Sequence, residues 1–126
     1  MLIEAKSAKT LEQIDRDLRE AAARQKFGVV AVHDLQQTMR NKGVEFGQAC
    51  MIYEVCNPHQ AKKVLEANGA VSTALPCRIS VYGDGDGYRI ATIQPTEMMK
   101  MFGGAELGPV AEEVERAMAA MVHEAA

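Results

Sequence analysis

Two short elements hold residue types able to do chemistry at a spacing that could unite them: Cys56-Asn57-Pro58-His59 and Leu75-Pro76-Cys77. Asn57 is a preferred helix cap and Pro58 a preferred first helical residue, so Cys56 stands immediately before a helix start. Backbone N–H groups and the positive end of the helix dipole stabilise a thiolate there, and His59 lies on the first turn. Cys77 follows one helix later, at the start of an expected strand. If that helix runs back along a sheet, the two cysteines return to one corner. There they could share a ligand, act as a redox pair or bond to each other. Cys56, Asn57, His59 and Cys77 are therefore the candidate ligand-binding residues, with Cys56 and Cys77 the candidate reactive thiols. Cys56, His59 and Cys77 also offer three metal ligands, enough for a site with an open position, although the spacing is not that of a structural zinc site. The competing reading of each cysteine is a small packing residue, since free cysteine is among the most often buried types. Cys77 shares strand parity with Ile79 and Val81, which favours the core. Cys50 has no flanking feature that suggests chemistry.

Other polar and soft residues are better read structurally. The run Gly83-Asp84-Gly85-Asp86-Gly87 lacks the downstream acidic residue of a calcium loop and the following helix of a phosphate loop, so it reads as a hairpin turn. Met98, Met99 and Met101 could bind Cu(I), but Met98, Met101 and Phe102 fit helical spacing and read as an adaptable apolar face, in the core or at a subunit contact. His33 falls in an expected strand and His123 in the last helix, each a satisfied surface or core histidine. Nucleophile-elbow, dinucleotide and metalloprotease motifs are absent.

The elements that must position the two cysteines follow from periodicity and punctuation. Leu2 to Lys6 alternates as an edge strand. Thr10-Leu11-Glu12-Gln13 fits a capping box, after which Leu11, Ile14, Leu18, Ala21 and Ala22 recur on one helical face. Phe27 to Val32 is β-branched and reads as a buried strand, and Asp34 to Asn41 as a short helix. In the strand Ala49 to Val55, alternation puts Cys50, Ile52, Glu54 and Cys56 on one side, with Met51, Tyr53 and Val55 on the other. The helix after Asn57 has Ala61, Val64 and Leu65 inward and stops at Asn68-Gly69. Cys77 to Tyr82 and Tyr88 to Ile93 form a hairpin. Pro95 opens a short helix, Gly103-Gly104 breaks the chain, and a final helix lines up Leu107, Val110, Ala111, Val114, Met118, Met121 and Val122. Because the fourth and fifth strands form a hairpin, the order predicts an α+β fold: a single layer of about five mixed or antiparallel strands with packed helices.

Bulk properties bound the function classes. The chain has 126 residues, 48% hydrophobic and 25% charged, which is one ordinary globular domain with no need of staples. A net charge of -3 without a Lys/Arg block argues against nucleic acid or anionic lipid as partner. No apolar run reaches the roughly 20 residues of a membrane span. Met1 to Thr10 does not resemble an export leader, so a reducing, cytoplasmic setting with unpaired thiols is expected.

Gly28 with the short helix after it, Tyr53-Glu54-Val55-Cys56-Asn57-Pro58, Ala61, Leu65, Leu75-Pro76-Cys77, Val81-Tyr82 and the stretch Ile93 to Pro95 together resemble the bacterial and archaeal domain of unknown function family 302. The resemblance runs from about Ala5 to Phe102, and Cys-Asn-Pro and Leu-Pro-Cys are its most specific marks. It implies an α+β fold, often dimeric, and no established activity. Of the cysteines only Cys56 and Cys77 carry over. Residues 1–104 are thus expected to form the family-like domain, and residues 105–126 an amphipathic helix packing on that domain or on a partner subunit. The apolar stripes exceed what one sheet layer needs, so a homodimer is expected. The resulting expectation is a small protein that binds a small ligand or acts in thiol or sulfur redox chemistry at the Cys56/Cys77 corner. The alternatives are a non-catalytic homodimeric interaction or regulatory module with structural cysteines, and a metal-binding protein using Cys56, His59 and Cys77. No cofactor is specified by the residues.

Overall fold

The computed structural model describes residues 1–126. Its elements run β1 (Leu2–Ser7), α1 (Leu11–Arg24), β2 (Gly28–Asp34), α2 (Leu35–Asn41), β3 (Cys50–Cys56), α3 (Pro58–Ala67), a 3₁₀ segment (Gly69–Ala74), β4 (Cys77–Asp84), β5 (Gly87–Ile93), α4 (Pro95–Met99) with a 3₁₀ extension (Lys100–Phe102), and α5 (Leu107–Ala125). The strands form one sheet in the order β1-β5-β4-β3-β2, with every neighbouring pair antiparallel. This is the α+β layer expected, in its antiparallel form.

Local chemistry explains the boundaries. The Gln13 N–H donates to Thr10 Oγ1 at 3.2 Å and the Thr10 N–H to Gln13 Oε1 at 3.0 Å, which closes the capping box of α1. Asn57 Oδ1 accepts from the N–H groups of His59 and Gln60 at 3.0 and 3.3 Å, which starts α3 behind Pro58. The β4–β5 turn places Gly85 at φ +62°, a left-handed conformation that glycine adopts without a Cβ clash. At Gly87 a Cβ would collide with the Ser7 carbonyl, so glycine there lets β1 close onto β5.

The core lies between one face of the sheet and the helices. Ile14 and Leu18 of α1, Val55, Ile79, Val81 and Ile90 of the sheet, and Met118, Met121 and Val122 of α5 are all fully buried. α5 therefore belongs to the core of this one chain, packed on α1, α3, β1 and β5. Alternation turns Leu2, Ile52, Arg78, Ser80, Tyr82 and Ile93 to the opposite face. Leu2 and Ile93, cross-strand partners there, stand 57% and 55% exposed.

Three expectations about burial are corrected. The strand after Phe27 is an edge strand, not a buried one: Val29 and Val32 are half-buried, while Val30, at an irregularity in the β2–β3 register, is 60% exposed. Within α3, Val64 is buried but Leu65 is turned outward. In the methionine segment Met99 faces the core and Met101 is 74% exposed, because the chain tightens from α-helix to 3₁₀ at Lys100 and shifts the face that follows.

Candidate functional site

The Cys56/Cys77 corner forms where β3 ends and β4 begins. Val55 lies opposite Cys77 in the β3–β4 ladder, so Cys56 is one step beyond Cys77's partner. That places the two Cα atoms about 6 Å apart by ladder geometry. The pleat then separates the side chains: Cys77 shares the core face with Val55, and Cys56 shares the other face with Cys50, Ile52 and Glu54. All three cysteines are free thiols. Cys77 is 9% exposed, and burial followed by the nearby Cys56 pushes its pKa up to about 11. It is a neutral thiol at physiological pH, a poor nucleophile and a poor metal ligand. The crevice that both cysteines border, together with Gln60, Val64 and Val114, measures about 30 Å³. That is the scale of a water molecule or two, too small for an organic ligand.

No three His, Cys, Asp or Glu side chains gather in a way that could hold a metal ion. His59 is exposed on the outer side of α3 and contributes only its backbone N–H to the Asn57 cap. The three-ligand site of Cys56, His59 and Cys77 is therefore not assembled. The spacing along the chain was not specific for a metal, and strand alternation and the helix rotation aim the three side chains apart.

A larger concavity opens on the far side of Leu75-Pro76, whose peptide bond is cis. The β4–β5 ladder runs from Asp84↔Gly87 to Ser80↔Ala91 and stops there. Beyond that point β4 stays paired with β3 as far as Cys77, and β5 stays paired with β1 as far as Ile93. The two strands thus part company, and Thr92 Oγ1 spans the gap by donating to the Arg78 carbonyl at 2.7 Å. A cleft of about 380 Å³ enters at this parting, walled by Thr73 to Pro76 on one side and reaching Met98 and Met118 in the helix layer. Its volume falls in the range of small-molecule sites, and its walls are mainly apolar with a few hydroxyls, as such sites usually are. Cys77 lies in its wall. On the outer face beside Arg78, its cross-strand partner Glu54 lies 3.7 Å from the guanidinium and 3.4 Å from His33 Nε2.

The model of the domain of unknown function DUF302 matches residues 3–125. The chain belongs to the DUF302 family. The family match takes in α5, which the motif resemblance covered less well, consistent with the burial of that helix. The crystal structure of an uncharacterized conserved DUF302 protein from Bacillus stearothermophilus has the same fold, with a TM-score of 0.94 at 26% identity over 99% of this chain and 98% of that one. A comparison with curated proteins finds no match.

The Cys-Asn-Pro and Leu-Pro-Cys motifs thus meet at one end of the sheet, and the roomy part of that end is walled by Leu75-Pro76-Cys77 together with Arg78 and Ser80, to which no motif drew attention. Arg78, Ser80 and Tyr82 occupy the face opposite Ile79 and Val81. Their alternation was readable in the sequence. That β5 would diverge from them was not, because the registers of β1 and β3 decide it. No helix is long and apolar enough to cross a membrane.

Proposed function

We propose that this protein binds a small molecule in the cleft where β4 and β5 part, with the Leu75-Pro76-Cys77 corner as one wall. The observation that carries this reading is the 380 Å³ opening, reaching from Arg78 on the outer face to Met118 in the helix layer. Cys77 serves as a packing residue of the wall, since burial holds its thiol neutral. Thiol or sulfur chemistry, where it occurs, falls to the more accessible Cys56, in a cytoplasmic, reducing setting. The test is an NMR titration of methyl-labelled methionines with octanol, octanoate and octylammonium. A saturable shift of Met98 and Met118, lost when the mouth is filled by Ser80→Trp, supports the cleft as a site. The absence of a saturable shift from all three probes overturns it.

A second reading, a homodimeric interaction module, is favoured by the exposed Leu2–Ile93 pair on the uncovered sheet face. The charged groups there pair internally: Arg89 holds Asp84 at 2.9 Å and Glu4 at 3.2 Å, so self-association meets little repulsion. Light scattering that gives a monomer mass at micromolar concentration in both low and high salt rejects this reading.

A further inference from the structure

Arg78 is the only charged side chain in the wall of the β4–β5 cleft, and no acidic residue lines it. Resting on the reading of that cleft as a binding site, we propose that its ligand is a monocarboxylate with an apolar tail, its carboxylate at Arg78 and its tail directed between the strands toward Met98 and Met118. The guanidinium is available for this: its single ionic contact is Glu54 at 3.7 Å, and its side chain donates no hydrogen bond within the protein. Its side chain is 67% exposed, so the long stem can turn toward the mouth without disturbing the core. On its other side Glu54 has His33 Nε2 at 3.4 Å.

The wall chemistry selects the class of head group. A guanidinium presents a planar fork that matches a carboxylate with two parallel hydrogen bonds. The hydroxyls of Ser80 and Tyr82 add neutral donors around the same cleft, whereas Thr73 Oγ1 already donates to the Ala70 carbonyl at 2.8 Å. A dianionic phosphate would keep one negative charge uncompensated against apolar walls, and an ammonium would meet Arg78 with like charge. Size sets the tail. At a share of about 30 Å³ for each small group, the cleft holds about a dozen non-hydrogen atoms. That suits a medium-length chain and is too small to enclose a nucleotide or a whole lipid. Leu75, Pro76 and Met98 supply the tail contacts above the fully buried Met118, and methionine's flexible thioether tolerates chains of differing shape.

The experiment compares affinities of octanoate, octanol and octylammonium for the whole protein, read from methionine methyl shifts and from the Arg78 side-chain Nε–H. Octanoate should bind at least tenfold more tightly than octanol, and octylammonium more weakly than either. Arg78→Gln, at a side chain that is 67% exposed, should remove the octanoate advantage and leave octanol unchanged. Arg78→Lys should keep part of the advantage. Equal affinity for octanol and octanoate, or a preference for octanoate that survives Arg78→Gln, overturns the carboxylate assignment while leaving the cleft a binding site. Silence toward all three probes overturns both.

Discussion

At the residue scale, the two family cysteines have different environments although they are neighbours in the sheet. Cys77 faces the core beside Val55, and Cys56 is turned to the opposite face of the sheet. Alkylation by iodoacetamide at pH 8 should therefore label Cys77 last. A thiol pKa of about 11 leaves about one thiol in a thousand ionised at that pH, about a hundredfold fewer than at the ordinary value of 9.0. Peptide mapping over time reads the order, and Cys77 labelling as fast as Cys56 would contradict the burial described. Tyr53 shows the same dependence on surroundings. It is 2% exposed, and its hydroxyl donates to Asp15 Oδ1 at 2.7 Å, while Arg19 holds Asp15 Oδ2 at 3.0 Å. Burial and the Asp15 carboxylate raise the phenol well above its ordinary value. A core tyrosine from β3 is thereby tied to α1 by a charge-assisted hydrogen bond.

At the element scale, the contrast between Met121 and Met101 tests which helical faces carry stability. Met121 of α5 is fully buried, whereas Met101 projects from the 3₁₀ extension into solvent. Met121→Ala should cost about 2–5 kcal/mol in urea unfolding, through lost transfer energy plus a cavity. Met101→Ala should stay within about 0.5 kcal/mol. Similar losses at both sites would mean that the methionine segment packs on something that the single chain lacks. α5 also holds α4 in place. Glu115 accepts from the Thr96 N–H at 3.0 Å and Thr96 Oγ1 at 2.6 Å, and from Gln94 Nε2 at 3.3 Å. The carboxylate on α5 thus satisfies donors at the start of α4, where Gln94 makes no side-chain cap.

For the molecule as a whole, these buttressed carboxylates set the response to acid. Burial opposes ionisation of Asp15, but hydrogen bonds from Arg19 and Tyr53 outweigh it, and its pKa lies below 3.8. Burial likewise opposes ionisation of Glu115, while Thr96 and Gln94 hold its pKa below 4.5. A carboxyl depressed in the folded state binds fewer protons there than when unfolded, so stability rises with pH across that window. The contribution is complete above the unfolded values of about 4 and is lost as pH falls through the lower folded ones. Urea midpoints should therefore be flat from pH 7 to about pH 5 and fall below about pH 4. Asp15→Asn combined with Glu115→Gln should lower the midpoint at neutral pH and flatten the acid limb. An acid limb as steep in the double variant as in the parent would assign acid lability to other groups.

The alternation of β3 and β4, the Thr10 and Asn57 caps, the Gly85 turn and the apolar stripe of α5 were legible in the amino-acid sequence, because each depends on contacts within a few residues or on one period. Those local rules were enough to specify an α+β layer and to carry Cys56 and Cys77 to the same end of the sheet. Other features depend on partners distant in the chain. Val29, Val30 and Val32 look like a buried strand until β2 is placed at an edge, and Leu65 looks inward until α3 is docked. The cysteines look like a pair until the Val55↔Cys77 register assigns them to opposite faces. The cleft is the furthest from local reading. It exists because β1 holds β5 as far as Ile93 and β3 holds β4 as far as Cys77, while β4 and β5 have no matching ladder beyond Ser80↔Ala91. A gap created by two competing registers has no signature in either strand, so only the tertiary structure decides it.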